Sequence, residues 1–459
     1  MVTKRSSDVV VCPPLARTGS DWRAVLREGM RAHQHGDLVA AESSYREVLE
    51  LYVAQPDALH YLGVLCHQRG RSDEGVRLIL AALQITPRHP DAHNNLGNIH
   101  KECGRLADAE ACYRRALQCG PQHYQALGNL GVVLEAQERP KEALVVYNQL
   151  VQEAPQLARG HYLLGLYLRD HAQAVEDLER AVECFRTAFA CDDSAVHALA
   201  ALSTSLYLLN RIDAAADVYR EWLERDPDNP VPRHMLAACH GTAAPPRADD
   251  DYVREVFDRF ADSFDQQLLQ NLDYRAPQIL AEALRVVLPP PDATLDVLDA
   301  GCGTGLCAPL LRPYARRLVG VDLSPGMVEK ARQRGGYDEL VVAELTAWLQ
   351  AQRPAWDVLL SADTLVYFGE LQPVLNAVCA ALRPGGWAAF TLEAMVGDED
   401  RTELASSGRY RHTRPYVERV LRQAGFVDVR IETDTLRKEF GSAVMGWVVL
   451  AQRPGAAMT

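Results

Sequence analysis

Val297-Leu298-Asp299-Ala300-Gly301-Cys302-Gly303-Thr304-Gly305 is the stretch whose reading decides the fold. Leu295, Val297 and Leu298 form an apolar run that predicts a buried strand, ended by an acid and three alternating glycines. A helix-like segment, 306–314, follows. Without a Cβ, glycine lets the backbone turn sharply and approach a ligand closely. A dinucleotide fingerprint requires a small third residue three places after Gly303, where Leu306 stands instead. No Gly-Lys-Ser/Thr follows either, so the loop is not a P-loop. Alone, such a turn is a weak signal.

The next unit strengthens it. Arg317-Leu318-Val319-Gly320-Val321-Asp322 predicts a second buried strand that also ends in a carboxylate. Ser324 is placed to cap the following helix, with Pro325 at its first position. Two parallel strands joined by a helix bring Asp322 beside the glycine loop, at the edge where open α/β sheets bind ligands. A carboxylate there can accept from both hydroxyls of a ribose diol. Strands are predicted over 294–300, 317–322, 339–345, 357–362 and 387–393, with a closing pair at 428–435 and 443–451. Helices between the first five imply a doubly wound, mostly parallel sheet, and the closing pair an antiparallel edge.

Together, DAGCGTG (299–305), GVDLSPGMVEKAR (320–332) and LRPGG (382–386) resemble the class I S-adenosylmethionine-dependent methyltransferases over about residues 252–453. The resemblance implies a C-terminal α/β doubly wound, seven-stranded, Rossmann-like domain that binds S-adenosylmethionine. Asp299, Gly301, Cys302, Gly303 and Gly305 would pass under its methionine moiety. Asp322 would hold the ribose, and Glu344, where many members have Asp, the adenine. Leu323, Met327 and Leu345 complete the implied cofactor-binding set. Asp363 ends the fourth strand in 361–368, where the family lines the methyl-transfer site; a cofactor contact and a helix cap are both open to it. The absence of Asn/Asp-Pro-Pro-Tyr there disfavours amino-methylation of nucleic-acid bases.

Catalytic candidates are His412, Tyr410, Tyr367 and Asp363. The long polar stretch 394–414 reads as a lid or substrate loop. His412 is its candidate base by titration range, or simply a residue near the start of the helix at Pro415. Tyr274 and Arg275 are candidates to close over the cofactor carboxylate, and Arg437 to meet an acidic substrate. The segment 257–265, FDRFADSFD, with 272–277, resembles more narrowly a subgroup of predicted bacterial methyltransferases carrying N-terminal TPR repeats.

Such repeats are visible upstream. Gly29, Gly63, Gly97, Gly131 and Gly165 are each 34 apart, as are Tyr45, Ile79, Tyr113 and Tyr147. A 34-residue period with Leu-Gly on a first helix and Ala…Tyr/Phe…Ala on a second is the TPR pattern. Six repeats start at Trp22, Pro56, Pro90, Tyr124, Ala158 and Val196, the fifth with a 4-residue insertion near 169–179, and 230–240 reads as a capping helix. The expected organisation is a tail (1–21), an all-α TPR solenoid (22–240), a Pro/Ala/Asp-rich linker (241–251), the methyltransferase domain (252–453) and a short tail (454–459). Asn95 and Asn129, each one place before a Leu-Gly pair, are candidates to hydrogen-bond an extended peptide in the solenoid groove, or are simply solvated.

Composition narrows the partners. A formal net charge of −13 and no long basic run make a nucleic-acid partner unlikely, because phosphate neutralisation supplies most of that affinity. Eleven scattered cysteines without a Cys-x-x-Cys pair, and no His-Glu-x-x-His, predict reduced cytoplasmic thiols and no metal site. No 18-residue apolar run predicts a membrane span. The expectation is a cytoplasmic methyltransferase whose repeats recruit a peptide or protein. The alternatives are a cofactor-binding scaffold without turnover, and an enzyme for a small metabolite whose repeats dock a partner.

Overall fold

The computed structural model describes residues 21–240, 244–261, 264–266, 268, 272–439 and 442–455. Two compact units make up the chain, Met1–Ser205 and Leu206–Thr459. The expected repeat starts all open helices. The first unit pairs α1 (Trp22–Gln34) with α2 (Leu38–Leu51), α3 (Pro56–Gln68) with α4 (Ser72–Ile85), and α5 (Pro90–Glu102) with α6 (Leu106–Cys119). It continues with α7 (Tyr124–Ala136) and α8 (Pro140–Glu153), then α9 (Ala158–Asp170) and α10 (Val175–Cys191). The insertion appears as a longer α10, of 17 residues where α8 has 14. Helix α11 (Val196–Leu208) runs across the division, and α12 (Ile212–Arg225) and α13 (Pro230–His240) open the second unit.

Sequence explains the pairing. In the five pairs from α1 to α10 the first helix brings a glycine against the bulky residue of its partner: a Cβ on Gly97 would lie 2.6 Å from the Tyr113 ring. Starts are capped locally, for instance by His123, whose Nδ1 accepts from Ala126 N at 3.0 Å while Nε2–H donates to Asp91 at 3.0 Å.

The second unit continues with α14 (Asp250–Phe260), α15 (Phe264–Gln266) and α16 (Ala276–Arg285) before the sheet begins. There follow β1 (Leu295–Ala300), α17 (Ala308–Leu311), β2 (Ala315–Asp322), α18 (Pro325–Arg334), β3 (Glu339–Val342) and α19 (Leu345–Gln350). Then come β4 (Trp356–Ser361), α20 (Gln372–Ala381), β5 (Leu382–Met395), β6 (Thr402–Leu404), β7 (Tyr410–Thr413), α21 (Arg414–Gln423), β8 (Val427–Glu439) and β9 (Ser442–Gln452). Strands β3-β2-β1-β4-β5 are parallel neighbours in that order, and antiparallel β9 and β8 extend the sheet beyond β5. Successive side chains point to opposite faces. Leu298, Val319 and Leu359 therefore pack in the core that includes α20 and α21, whereas Val297, Leu318 and Val358 pack under α16.

All seven expected strands are present, but the stretch expected as a long loop, 394–414, holds two more. Glu393 pairs with Gly446 of β9 and also with Arg411 of β7. Strand β7 therefore takes the flank that β4 leaves after Ser361, whose partner is Phe390, and β6 pairs with it as a hairpin.

The expected linker is not a free tether either. Residues 241–243 lie outside the described ones. Beyond them, Glu370 N donates to Pro246 O at 2.7 Å, Ala248 N to Tyr367 O at 2.8 Å, and the Tyr410 hydroxyl to Pro245 O at 2.6 Å. Helix α13 is held as well: His234 Nε2–H donates to Gly408 O at 2.9 Å, and its ring stacks on Tyr252. The proline carbonyls of this stretch thus serve as acceptors for the catalytic fold.

Candidate functional site

A cavity opens at the carboxyl ends of β1, β2 and β4. Of the residues expected to bind cofactor, Gly301, Cys302, Gly303, Asp322, Leu323 and Met327 line it, and so do Glu344, Leu345 and Asp363. Gly305 instead packs behind it, where an added Cβ would meet Tyr337 at 3.1 Å.

The glycine loop is built by backbone bonds: Gly301 N and Cys302 N both donate to Val321 O, at 2.7 and 3.0 Å. Asp322 pins it from the second strand. Its Oδ2 accepts from Gly303 N at 2.8 Å and its Oδ1 from Ser324 N at 2.9 Å. A carboxylate offers about four lone-pair sites, so acceptor capacity remains for a diol. Burial pushes the Asp322 carboxyl above its ordinary range, against the backbone bonds that favour its ionised form. An added Cβ on Gly303 (φ 53°) would have no heavy atom within 4 Å, which leaves a cradle beside the cavity.

Asp299 lies beneath the loop, fully buried, and does not line the cavity. Its Oδ2 accepts from the Tyr337 hydroxyl at 2.6 Å, while Oδ1 has no partner. Burial pushes this carboxyl up to about 7; the Tyr337 bond opposes that and the nearby Asp322 adds to it. S-adenosylmethionine carries a ribose diol and a methionine chain. The Gly303 cradle and the remaining acceptor capacity of Asp322 fit it.

The pH dependence has a definite sign. An acid whose folded pKa exceeds its unfolded value of about 3.9 favours the fold fully at lower pH and loses that contribution as pH rises toward 7. Asp299→Asn should therefore flatten the stability profile between about pH 4 and 7 and raise the ligand-free Tm at pH 8 relative to wild type. Thermal melts across this range check it; a variant no more stable at pH 8 would contradict the burial argument.

Glu344 explains why β3 stops at Val342. It caps α19, accepting from Thr346 N at 3.0 Å and Ala347 N at 2.7 Å. Asp363 sits in a left-handed conformation (φ 54°) that non-glycine residues rarely adopt. It is held there by Thr391 Oγ1, which accepts from its backbone N at 2.9 Å, and by Arg437, whose Nη1 donates to its Oδ2 at 2.7 Å. Asp363 thus lines the cavity as an ion-paired group, a place from which a cofactor contact stays open to it.

Several expected site residues lie elsewhere. His412 is fully buried outside the cavity lining, stacked on Tyr416, with Nε2–H donating to Gly369 O at 3.3 Å. Burial pushes its pKa down to about 4, so it is a neutral core residue and not a base. Tyr410 is likewise buried outside the lining, on the Pro245 carbonyl. Tyr367 does line the cavity. Of the two lid candidates, Tyr274 lines it, whereas Arg275 is half-exposed near Asp434 at 3.9 Å.

The acidic–aromatic segment supplies residues whose role its sequence did not reveal. Asp258 accepts from Gly326 N at 3.0 Å, at the start of α18. Asp265 accepts from Thr304 Oγ1 of the glycine loop at 2.5 Å and pairs with Arg334. These two anchors set Phe257 and Phe264 against the cavity. Asp262 and Ser263 lie outside the described residues.

In the first unit, Asn129 is buried, and its amide is already used. Nδ2 donates to Asn94 and Asn98, both at 3.0 Å, and Oδ1 accepts from Arg159 Nη2 at 2.6 Å. It therefore has no amide group left for a peptide and instead positions the exposed Arg159. Asn95 is half-buried, with Nδ2 donating to His60 Nε2 at 2.9 Å.

Residues 298–390 match the family model described as a methyltransferase domain, and stretches 26–90, 68–123, 94–158 and 162–230 match the tetratricopeptide repeat. Human methyltransferase-like protein 27 is 36% identical over 192 residues, covering 38% of this chain and 74% of that relative. The chain belongs to the class I methyltransferases carrying N-terminal TPR repeats. The malonyl-[acyl-carrier protein] O-methyltransferase of Acetivibrio thermocellus is 33% identical over 99 residues, but the match spans only 21% of this methyltransferase and 35% of that relative. Among solved structures, that of pilF from Pseudomonas aeruginosa aligns over 45% of this chain and 93% of its own, at 18% identity and a TM-score of 0.40. Among the described residues no helix is long and apolar enough to cross a membrane, and no cluster of ligating side chains could hold a metal ion.

Proposed function

We propose that the chain transfers the methyl group of S-adenosylmethionine to an acceptor in the same cavity, and that the repeats recruit the peptide or protein that bears the acceptor. The arrangement of Asp322 against the Gly303 cradle carries the first half. S-adenosylmethionine brings an already activated methyl group. What this chain supplies is binding, alignment and shelter from water. Asp322 holds the ribose end, Glu344 lies at the adenine end, and Asp299, bonded to Tyr337, lies beneath the loop. Phe257, Phe264 and Tyr274 close the site to water. The ten described cysteines are all free, which suits the reduced cytoplasm.

Recruitment rests on the groove residues Asn95 and Arg159, the latter oriented by Asn129. Binding remote from the methyl group is uniform binding, so it acts on KM and not on kcat. The double variant Asn95→Ala with Arg159→Ala should raise KM for a protein-borne acceptor by roughly tenfold and leave kcat nearly unchanged. Steady-state transfer of labelled methyl by the full chain and this variant checks both halves. An unchanged KM would refute recruitment; a chain that binds S-adenosylmethionine but never transfers label would refute the enzyme.

A further inference from the structure

One wall of the cavity remains unused by the donor. It is formed by Tyr367, after β4, by Arg409 of the β6–β7 hairpin, and by Arg437 of β8. Two carboxylates that do not line the cavity, Glu393 and Glu439, stand behind these guanidiniums. Arg437 is 3% exposed and ion-paired on three sides: Nε donates to Glu439 at 2.8 Å, Nη1 to Asp363 at 2.7 Å and Nη2 to Glu393. Arg409 donates from Nη1 to Glu439 at 2.5 Å and pairs with the Tyr367 hydroxyl. Its guanidinium has five N–H donors in a fixed fork, so these bonds orient it without exhausting it.

The same wall offers no base. Neither histidine nor lysine is among the described residues that line the cavity. Its carboxylates are each engaged: Asp322 with two backbone N–H groups, Glu344 as a helix cap, Asp363 with Arg437, and Asp250 with Arg247. A hydroxyl acceptor would need its proton removed in the transition state. A carboxylic acid arrives already ionised at neutral pH.

We propose that the acceptor is a carboxylate, that the product is its methyl ester, and that Arg409 is the residue that seats it. This rests on the methyl-transfer reading and names its substrate class. Arg409 holds one carboxylate oxygen and leaves the other turned toward the methyl carbon. That oxygen forms the new C–O bond as the S–CH3 bond breaks; the bonding pair stays on sulfur, which becomes a neutral thioether, and no proton moves. Tyr367 fixes the Arg409 fork, and the ion pairs of Arg437 with Glu393 and Asp363 keep the wall rigid.

The class of product can be read without knowing the acceptor. The full chain is incubated with S-adenosylmethionine labelled in its methyl group and heat-treated cell extract, and the products are exposed to mild alkali. Methyl esters release volatile labelled methanol, whereas methyl groups on nitrogen, carbon or sulfur stay bound. Enzyme-dependent volatile label is the expected result. Alkali-stable label would overturn the carboxylate proposal and leave methyl transfer standing, while no label from a chain that binds the donor would overturn both. Arg409→Gln should lower ester formation by about 30-fold or more, and Arg409→Lys should recover part of it, because charge returns but the fork does not. S-adenosylhomocysteine affinity, measured by calorimetry, should stay within about twofold in both variants, since Arg409 and Asp322 share no hydrogen-bond partner. Undiminished ester formation by Arg409→Gln would remove Arg409 from the site.

Discussion

Gly301→Ala is expected to collapse the catalytic unit. At φ 78° the residue stands in the left-handed region, and an added Cβ would lie 1.9 Å from Thr364 Oγ1 and 2.6 Å from its Cβ. Thr364 cannot simply rotate away, because its own Cβ is part of the clash. The backbone penalty of about 1–2 kcal/mol and an overpacking cost of about 1–3 kcal/mol fall on one residue and add. A loss of about 2–5 kcal/mol is a large fraction of ordinary domain stability. Thermal unfolding should show the catalytic transition lowered by roughly 4–20 °C, or no soluble protein. Adding Thr364→Gly should restore much of the loss by removing the clash, though not the backbone strain. A double variant no better than Gly301→Ala would show that the close approach is not what the glycine serves.

The second large effect belongs to Asp322. Removing its carboxylate takes away acceptor capacity for the ribose and the pin on Gly303 N. Charge-assisted bonds of this kind are worth about 2–3 kcal/mol together, so Asp322→Ala should weaken S-adenosylmethionine binding by roughly 30- to 150-fold. Stability should change far less. Burial already pushes this carboxyl above its ordinary range, so deleting it relieves a desolvation penalty that offsets the lost backbone bonds.

Both predictions concern residues that local sequence made legible. An acid at the end of an apolar run, glycines at fixed offsets and a 34-residue period each depend on neighbours in sequence; Gly301, Gly303 and Asp322 line the cavity, whereas Asp299 and Gly305 pack behind it. What escaped depends on distant partners. His412 and Tyr410 looked like loop residues because 394–414 is polar and lacks alternation. Their strand forms only because the end of β5 offers a flank that β4 has vacated. Once that hairpin closes, His412 is sealed against Gly369 and Tyr416, and Arg409, one place before Tyr410, is the hairpin residue left on the cavity wall. Asn129 was read as a groove amide, yet its partners Asn94, Asn98 and Arg159 lie about one repeat away on either side. Tyr337, the only hydrogen-bond partner of Asp299 among the described side chains, sits in a short Gly-Gly-Tyr turn with nothing in its surroundings to announce it.

The account stands on the donor site at the glycine loop and Asp322. Calorimetric titration of S-adenosylmethionine into the full chain and into Asp322→Ala tests it most directly. Saturable binding at one site per chain, weakened roughly 30- to 150-fold in a variant that melts near the wild-type temperature, is the result predicted. Equal affinity in the two proteins, or no binding by the wild type, would contradict it.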